Sequence, residues 1–280
     1  MKLSSYYLVK SNLTIIIPTL NSTGDVHQDK KINYALSNCL SSLGKTVPDI
    51  PVIIVSNGGD AKYIPMYLHP KSTRINIWEQ GQCKAVNAAA ATINTKWIMV
   101  TNDDMIYPQG WELPFEFQSC QCMSPKLVEP QDGAPTFIKY FCGGASGDFD
   151  KNKFDKFVEK YEGTGWNTGF NLPFIITKDL WDKIGGYDIN YDPFGSNSDS
   201  DLEYKIKLAG VQPMQSQASL VYHFSQTSGT FNPKHHDYWQ KNWDYFIKKW
   251  GFPRTDDGIW EANFVIPKDK LKYKPLWGKY

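Results

Sequence analysis

The readable pattern begins with an unbroken apolar run, "LTIIIPTL" at 13–20, whose β-branched character predicts a strand covered on both faces. "INYALSNCLSSLG" (32–44) then places Ile32, Ala35, Leu36, Cys39, Leu40 and Leu43 at helical spacing and stops at Gly44. "PVIIVSNGG" (51–59) predicts a second strand running into a glycine turn, and "RINIW" (74–78) a third. "KAVNAAAATIN" (84–94) reads as an alanine-rich helix, followed by a fourth strand in "KWIMVT" (96–101). Strand and helix alternate, which predicts an α/β fold on a parallel, doubly wound, Rossmann-like sheet.

Beyond about residue 105 the rhythm changes to turn-rich text. A short strand is expected at 173–177, with helices at 201–210 and 236–251, so this half of the sheet should be mixed. The tail, 252–280, is rich in Lys, Pro and aromatics and is expected to wrap the surface. Neither an internal repeat nor a low-complexity linker divides the chain, so 1–280 reads as one interwoven domain.

Charge narrows the choice of partners. A net charge of +1 and a pI near 7.6 give no field that would favour nucleic acid or an acidic membrane. No apolar run approaches the length of a transmembrane span, and "MKLSSYYLVK" lacks the features of a signal peptide. Five scattered cysteines, Cys39, Cys83, Cys120, Cys122 and Cys142, offer no paired zinc spacing; free thiols in a reducing cytoplasm are the expectation. The aromatic content of 15% reads as packing for most of these residues, with some left to stack on a sugar or a base.

In an open parallel sheet, ligands bind beyond the carboxyl ends of the strands. Those ends here carry Pro18, Thr19 and Asn21, then Asn57 and Asp60, then Asn102-Asp103-Asp104. GxGxxG and GxxxxGK[ST] are both missing, so a phosphate held at this rim needs another counter-charge. A divalent cation on carboxylates supplies one and would remove the repulsion between Asp103 and Asp104; the plainer alternative is an Asx-type turn. Asp199 and Asp201 lie where a helix should start, so one reads as a cap and the other as a candidate general base. His223 follows an apolar strand, as a structural histidine or as an imidazole ligand.

In this order the segments resemble family 2 glycosyltransferases, nucleotide-sugar enzymes of the GT-A fold, over roughly residues 12–251. "IIIPTLN" is similar to the family's opening strand, and "VIIVSNGG" to its second, with Ser56 in place of the usual Asp. "GQCKAVNAAAATINTKWIMVTNDD" resembles the stretch leading to the DxD motif, with Lys84 and Asn87 in the basic and Asn places and Asn102 replacing the first Asp. "GGYDINYDPFGSNSDSDLEYKIKLAG" resembles the segment holding the catalytic base, which falls on Asp199, and "VYHFSQTSGTF" the place of a metal-binding His.

The resemblance implies a GT-A-like mixed, mostly parallel sheet flanked by helices, with a nucleotide-binding half at 12–105 and an acceptor or catalytic half at 106–251. It implies transfer of a sugar from a nucleotide diphosphate sugar, UDP by preference, to a glycan or other acceptor hydroxyl, with inversion. Asp104 and His223 would hold Mn²⁺ or Mg²⁺, and Asp199 would be the base. Pro18, Thr19, Asn21, Asn57, Asp60, Lys84, Asn87 and Asp103 would serve the nucleotide and donor, with Trp166 and Asp201 near acceptor or donor sugar. Two other readings are a nucleotidyltransferase, disfavoured by the absence of a Gly-rich loop and Lys after the first strand, and a non-catalytic carbohydrate-binding protein, disfavoured by the βαβ rhythm.

Overall fold

The computed structural model describes residues 12–20, 23–58, 64–116, 120–130, 137–225, 227 and 235–251. The first half follows the predicted alternation: β1 (Leu13–Thr19), α1 (Val26–Thr46), β2 (Val52–Asn57), β3 (Ser72–Ile77), α2 (Gln82–Ala90) and β4 (Trp97–Val100). Helix α1 starts six residues earlier than its apolar spacing indicates. The Asp25 side chain caps it, accepting from the His27 and Gln28 backbone N–H groups, and its first turns are polar because they face solvent.

The second half comprises β5 (Met105–Ile106), β6 (Cys122–Glu129), β7 (Ile138–Lys139), α3 (Lys151–Glu159), β8 (Trp166–Thr168), β9 (Phe174–Thr177), α4 (Lys178–Ile184), α5 (Ser198–Leu208), β10 (Met214–His223) and α6 (His236–Trp250). None of the described helices is long and apolar enough to cross a membrane.

All ten strands join one sheet in the order β3-β2-β1-β4-β9-β6-β10-β5, with β7 beside β6 and β8 beside β10. Strands β3, β2, β1 and β4 are mutually parallel; β9 is antiparallel to both β4 and β6, and β10 is parallel to β6. The carboxyl ends of β1, β2, β3, β4, β6 and β10 therefore share one rim. Strand β5 runs against β10 and pairs Met105 with His223, so its first residue also lies there.

β1, β2, β4 and β9 are buried along their whole length, as strands covered on both faces should be. Strand β6 is the main element the apolar pattern hides, because Pro125 interrupts it. Pro125 falls where the β6–β10 register jumps from Ser124↔Gln215 to Lys126↔Leu220, so the missing N–H sits at a bulge. The Ser216 hydroxyl oxygen accepts from the bulge's Ala218 and Ser219 N–H groups.

One connection shapes the rim. From β4 to β5 the sheet counts four strand spacings, roughly 19 Å. The chain covers that step between Val100 and Met105, five residues that reach at most roughly 17 Å and include a turn. The sheet must therefore curl, and the crossing at 101–104 draws its centre and its edge together.

Candidate active site

Residues 101–104 are the crossing itself. The Thr19 hydroxyl, at the end of β1, donates to Asp103 Oδ2 at 2.6 Å. The next residue faces the other way: Asp104 is buried, and its Oδ1 lies 3.3 Å from His223 Nε2 at the end of β10. The Asp104 carbonyl accepts from Phe224 N at 3.0 Å, which locks the crossing to the strand that carries the histidine. On the far side of the ring, His223 Nδ1 is 2.6 Å from Oε1 of buried Glu129, the last residue of β6.

The electrostatics follow from this row. Burial, then the neighbouring Asp104 charge, pushes Asp103 up to about 7 despite the Thr19 hydrogen bond. Burial also opposes ionisation of Asp104, but attraction to His223 outweighs it and holds the carboxyl below the usual range. Burial opposes the imidazolium as well; Asp104 and Glu129 together overcome that and raise His223 to about 10. Repulsion at the strand mouth is thus answered by one protonated histidine, a counter-charge placed where a cation could take over.

Asp104 Oδ1 is buried and meets the imidazolium at ion-pair distance rather than in a well-aligned hydrogen bond. Two ligands about 2.1 Å from one ion and at right angles to each other stand roughly 3 Å apart. The 3.3 Å between this oxygen and Nε2 suits a shared cation. Glu129 holds the opposite ring nitrogen, as the outer partners of histidine ligands do. Among the described residues no group of three or more His, Cys, Asp or Glu side chains is arranged for a metal. A cation here would rest on two protein ligands and complete its shell from phosphate oxygens and water.

Asp199 stands in the first turn of α5, half-buried, and accepts from the Tyr187 hydroxyl at 2.7 Å. Its loop docks on the start of α2, where Asp192 accepts from Cys83 N at 2.8 Å and Lys84 N at 3.1 Å. That carboxylate already occupies the amino end of α2, which leaves it unsuited to a phosphate.

The predicted residues separate on this frame. Pro18, Thr19, Asn57, Asp103, Asp104 and His223 share the rim, while Asn21 and Asp60 lie outside the described residues. Asn57 Oδ1 is committed to Gly81 N at 2.6 Å and ties β2 to α2. Asn87 is not a nucleotide ligand: its amide donates to the Tyr187 carbonyl at 2.8 Å and accepts from the Tyr187 N–H at 2.9 Å. Lys84 pairs with Glu79 at 2.5 Å and lines a cleft of about 350 Å³ with Gln80, Asp192 and Tyr245, away from the Asp103–Asp104 pair.

Two further expectations are overturned. Asp201 cannot touch a sugar, because it is fully buried and its Oδ1 is 2.7 Å from Lys249 Nζ and 2.9 Å from Trp250 Nε1. Trp166 is not over the site: it pairs with Ser216, across the bulge from His223, a stretch that β6 spans in about four residues, roughly 13 Å. There it meets Phe115 edge-on at 5.7 Å, a packing role. Conversely, Glu129 and Tyr187 were not anticipated. Glu129 lies in the strand that Pro125 hid, and Tyr187 reads as part of an ordinary glycine-tyrosine turn.

No protein-family model and no curated protein matches the sequence. Solved structures do match its shape. One is a crystal structure of GalNAc-T7 with UDP, GalNAc and Mn²⁺, at a TM-score of 0.59 and 13% identity, covering 86% of this chain and 49% of that one. Another is the mannosyltransferase PcManGT from Pyrobaculum calidifontis in complex with GDP-Man and Mn²⁺, at a TM-score of 0.52 and 15% identity, covering 87% and 63%. The fold is similar to that of these two proteins. The chain spans about half the length of the first of these proteins and under two thirds of the second. At this identity the likeness establishes the mixed α/β architecture with its mostly parallel sheet; what the residues do must be argued from the rim.

Proposed function

We propose that the chain is a metal-dependent glycosyltransferase that moves a sugar from a nucleotide diphosphate sugar to an acceptor hydroxyl, with inversion, in glycan synthesis. The observation that carries this reading is the Asp104–His223 pair. It has a buried carboxylate oxygen 3.3 Å from an imidazole that a second carboxylate holds from behind, at the ligand-binding rim of a glycosyltransferase fold.

Asp104 and His223 would hold Mn²⁺ or Mg²⁺ on the diphosphate. When bound, such a cation supplies Lewis-acid stabilisation of the leaving diphosphate. Thr19 fixes Asp103 toward the donor ribose or sugar, and Pro18 and Asn57 line the nucleotide side of the rim. Asp199, aimed by the Tyr187 hydroxyl, takes the proton of the acceptor hydroxyl as that oxygen attacks the anomeric carbon. The structural neighbours carry UDP in one case and GDP-mannose in the other, both with Mn²⁺, which supports a nucleotide-sugar donor. The ordered motifs favour a family 2 enzyme and a UDP-sugar.

The test is incubation with a panel of UDP- and GDP-sugars and Mn²⁺, with and without EDTA, following release of the nucleoside diphosphate. Slow turnover of one donor that stops with EDTA is the expected result. Undiminished turnover in EDTA would sink the metal assignment. Binding of free glycans with no donor turned over would instead make the chain a carbohydrate-binding protein.

A further inference from the structure

The bond from Tyr187 to Asp199 is braced from three helices. Asn87 of α2 clasps both the N–H and the carbonyl of Tyr187, as described above. Lys205 of α5, fully buried, donates to the carbonyl of Gly186, the residue just before. From α6, Lys249 is also fully buried, with Nζ 2.6 Å from Asp188 Oδ2 and 2.7 Å from Asp201 Oδ1.

The positions of those two partners are what matters. Asp188 follows Tyr187 directly, and Asp201 lies two residues past Asp199. One ammonium therefore grips both chain segments that meet in the Tyr187–Asp199 hydrogen bond. Its neighbours on α6 close the grip: the Tyr245 hydroxyl donates to Asp188 Oδ2 at 2.8 Å, and Trp250 Nε1 to Asp201 at 2.9 Å. Burial alone would raise the Asp188 carboxyl, yet Lys249 holds it below the ordinary range, as expected of a charged member of the group.

A buried ion group of this kind is a poor stabiliser. Replacing such a group with neutral residues of similar shape is often neutral or favourable, because four desolvated charges, Lys205 beside Asp201 included, recover little more than they lost. Stability does not account for the arrangement. What it does deliver is a fixed relation between residues 187–188 and 199–201.

We infer that Lys249 is a positioning residue for Asp199: its ammonium, shared by Asp188 and Asp201, fixes the Tyr187–Asp199 hydrogen bond and so aims the general base. The inference rests on the proposed function only for the word base; the clamp itself is a claim about geometry. Through it, the helix farthest along the described chain becomes part of the reacting group's support, although it contributes no atom to the chemistry.

The test uses the full chain. Lys249→Met alone leaves the buried Asp188 carboxylate without its cation and can unfold the protein, so the informative variant is Lys249→Met with Asp188→Asn, which keeps shape, leaves Asp201 its pairing with buried Lys205 and keeps the group neutral overall. Two measurements are made on it. Hydrogen exchange reads the clamp: protection across 187–201 should fall while β1, β2 and β4 stay as protected as in the wild type. Turnover of the UDP-sugar accepted by the wild type, with Mn²⁺, reads the consequence. The maximal rate should fall on the order of 10²-fold with donor KM unchanged, the scale of a misplaced reacting group.

A double-mutant comparison then separates positioning from mere folding. Asp199→Asn should cost far less in the neutral variant than in the wild type, because a base already out of place has little left to lose. A neutral variant with unchanged protection and rate, or an Asp199→Asn effect as large there as in the wild type, overturns the inference. If the wild type turns over no donor, the proposed function fails, and the exchange measurement still decides the clamp.

Discussion

Two acidic groups carry the proposed function, and they are built in opposite ways. Asp103 and Asp104 sit on a bare backbone crossing. One hydroxyl holds the first, and one histidine pairs with the second at 3.3 Å. Asp199 sits on a helix whose surroundings are closed by tyrosine, asparagine and two buried lysines. The first group is held by few partners, so a ligand has room to replace one of them. The second group is held by many more partners, as suits a residue that must be held in one place before substrate arrives. On the proposed function, the crossing serves binding and the helix serves geometry.

The largest expected effect comes from removing the carboxylate that faces the histidine. Asp104→Asn should lose transfer by more than ~10³-fold, since the electrostatic contribution of a bound cation is several kcal/mol and each tenfold is about 1.4 kcal/mol. Activity aside, Mn²⁺ should raise the melting temperature of the wild type and leave that of the variant unmoved, because only a ligand bound by the native state stabilises it. Exchange protection across 187–201 should be untouched. An Asp104→Asn protein that still responds to Mn²⁺ would break the assignment of binding to the crossing.

A smaller effect sharpens the same side. Glu129→Gln keeps the shape behind His223 and removes the carboxylate that grips Nδ1. Such outer partners are worth roughly 10–100-fold in metal affinity or activity. The Mn²⁺ concentration giving half-maximal turnover should rise by that factor, with the maximal rate recovered at saturating metal. A loss that saturating Mn²⁺ does not restore would mean that Glu129 acts on something other than the ring's orientation.

Sequence periodicity exposes the two groups unequally. β1, β2 and β4 are legible because strands buried on both faces must be apolar throughout, and their ends point straight to Thr19, Asn57 and Asp104. Asp199 is legible from its place at a helix start. Its support is not, because Asn87, Lys205 and Lys249 lie 112, 6 and 50 residues from it in sequence and read locally as ordinary helix-surface residues. Lysines that turn out to be wholly buried are invisible to a rule that places charge outside. Asp201 misleads for the mirror reason: its position matches an acidic motif, and only the fold shows that Lys249 and Trp250 have claimed it. Glu129 is lost to Pro125, which hides the strand it terminates.

The smallest effect probes the helix side through its backbone. Gly186 has φ +59°, and a Cβ there would stand 2.5 Å from Asn87 Oδ1 and 2.8 Å from the Trp181 ring. Gly210 has φ +86° with nothing within 4 Å of a Cβ. Both Gly→Ala changes pay left-handed backbone strain, roughly 1–2 kcal/mol. Only Gly186→Ala must also push aside the amide that clasps Tyr187, an overpacking penalty of about 1–3 kcal/mol more. Urea midpoints should fall for both variants at unchanged slope, and further for Gly186→Ala. The distinguishing sign is local: Gly186→Ala should lower the rate without moving the Mn²⁺ response, whereas Gly210→Ala should leave both alone. Equal loss of stability in the two variants would show that Asn87 gives way freely, and the α2 brace would then count for little beside Lys205 and Lys249.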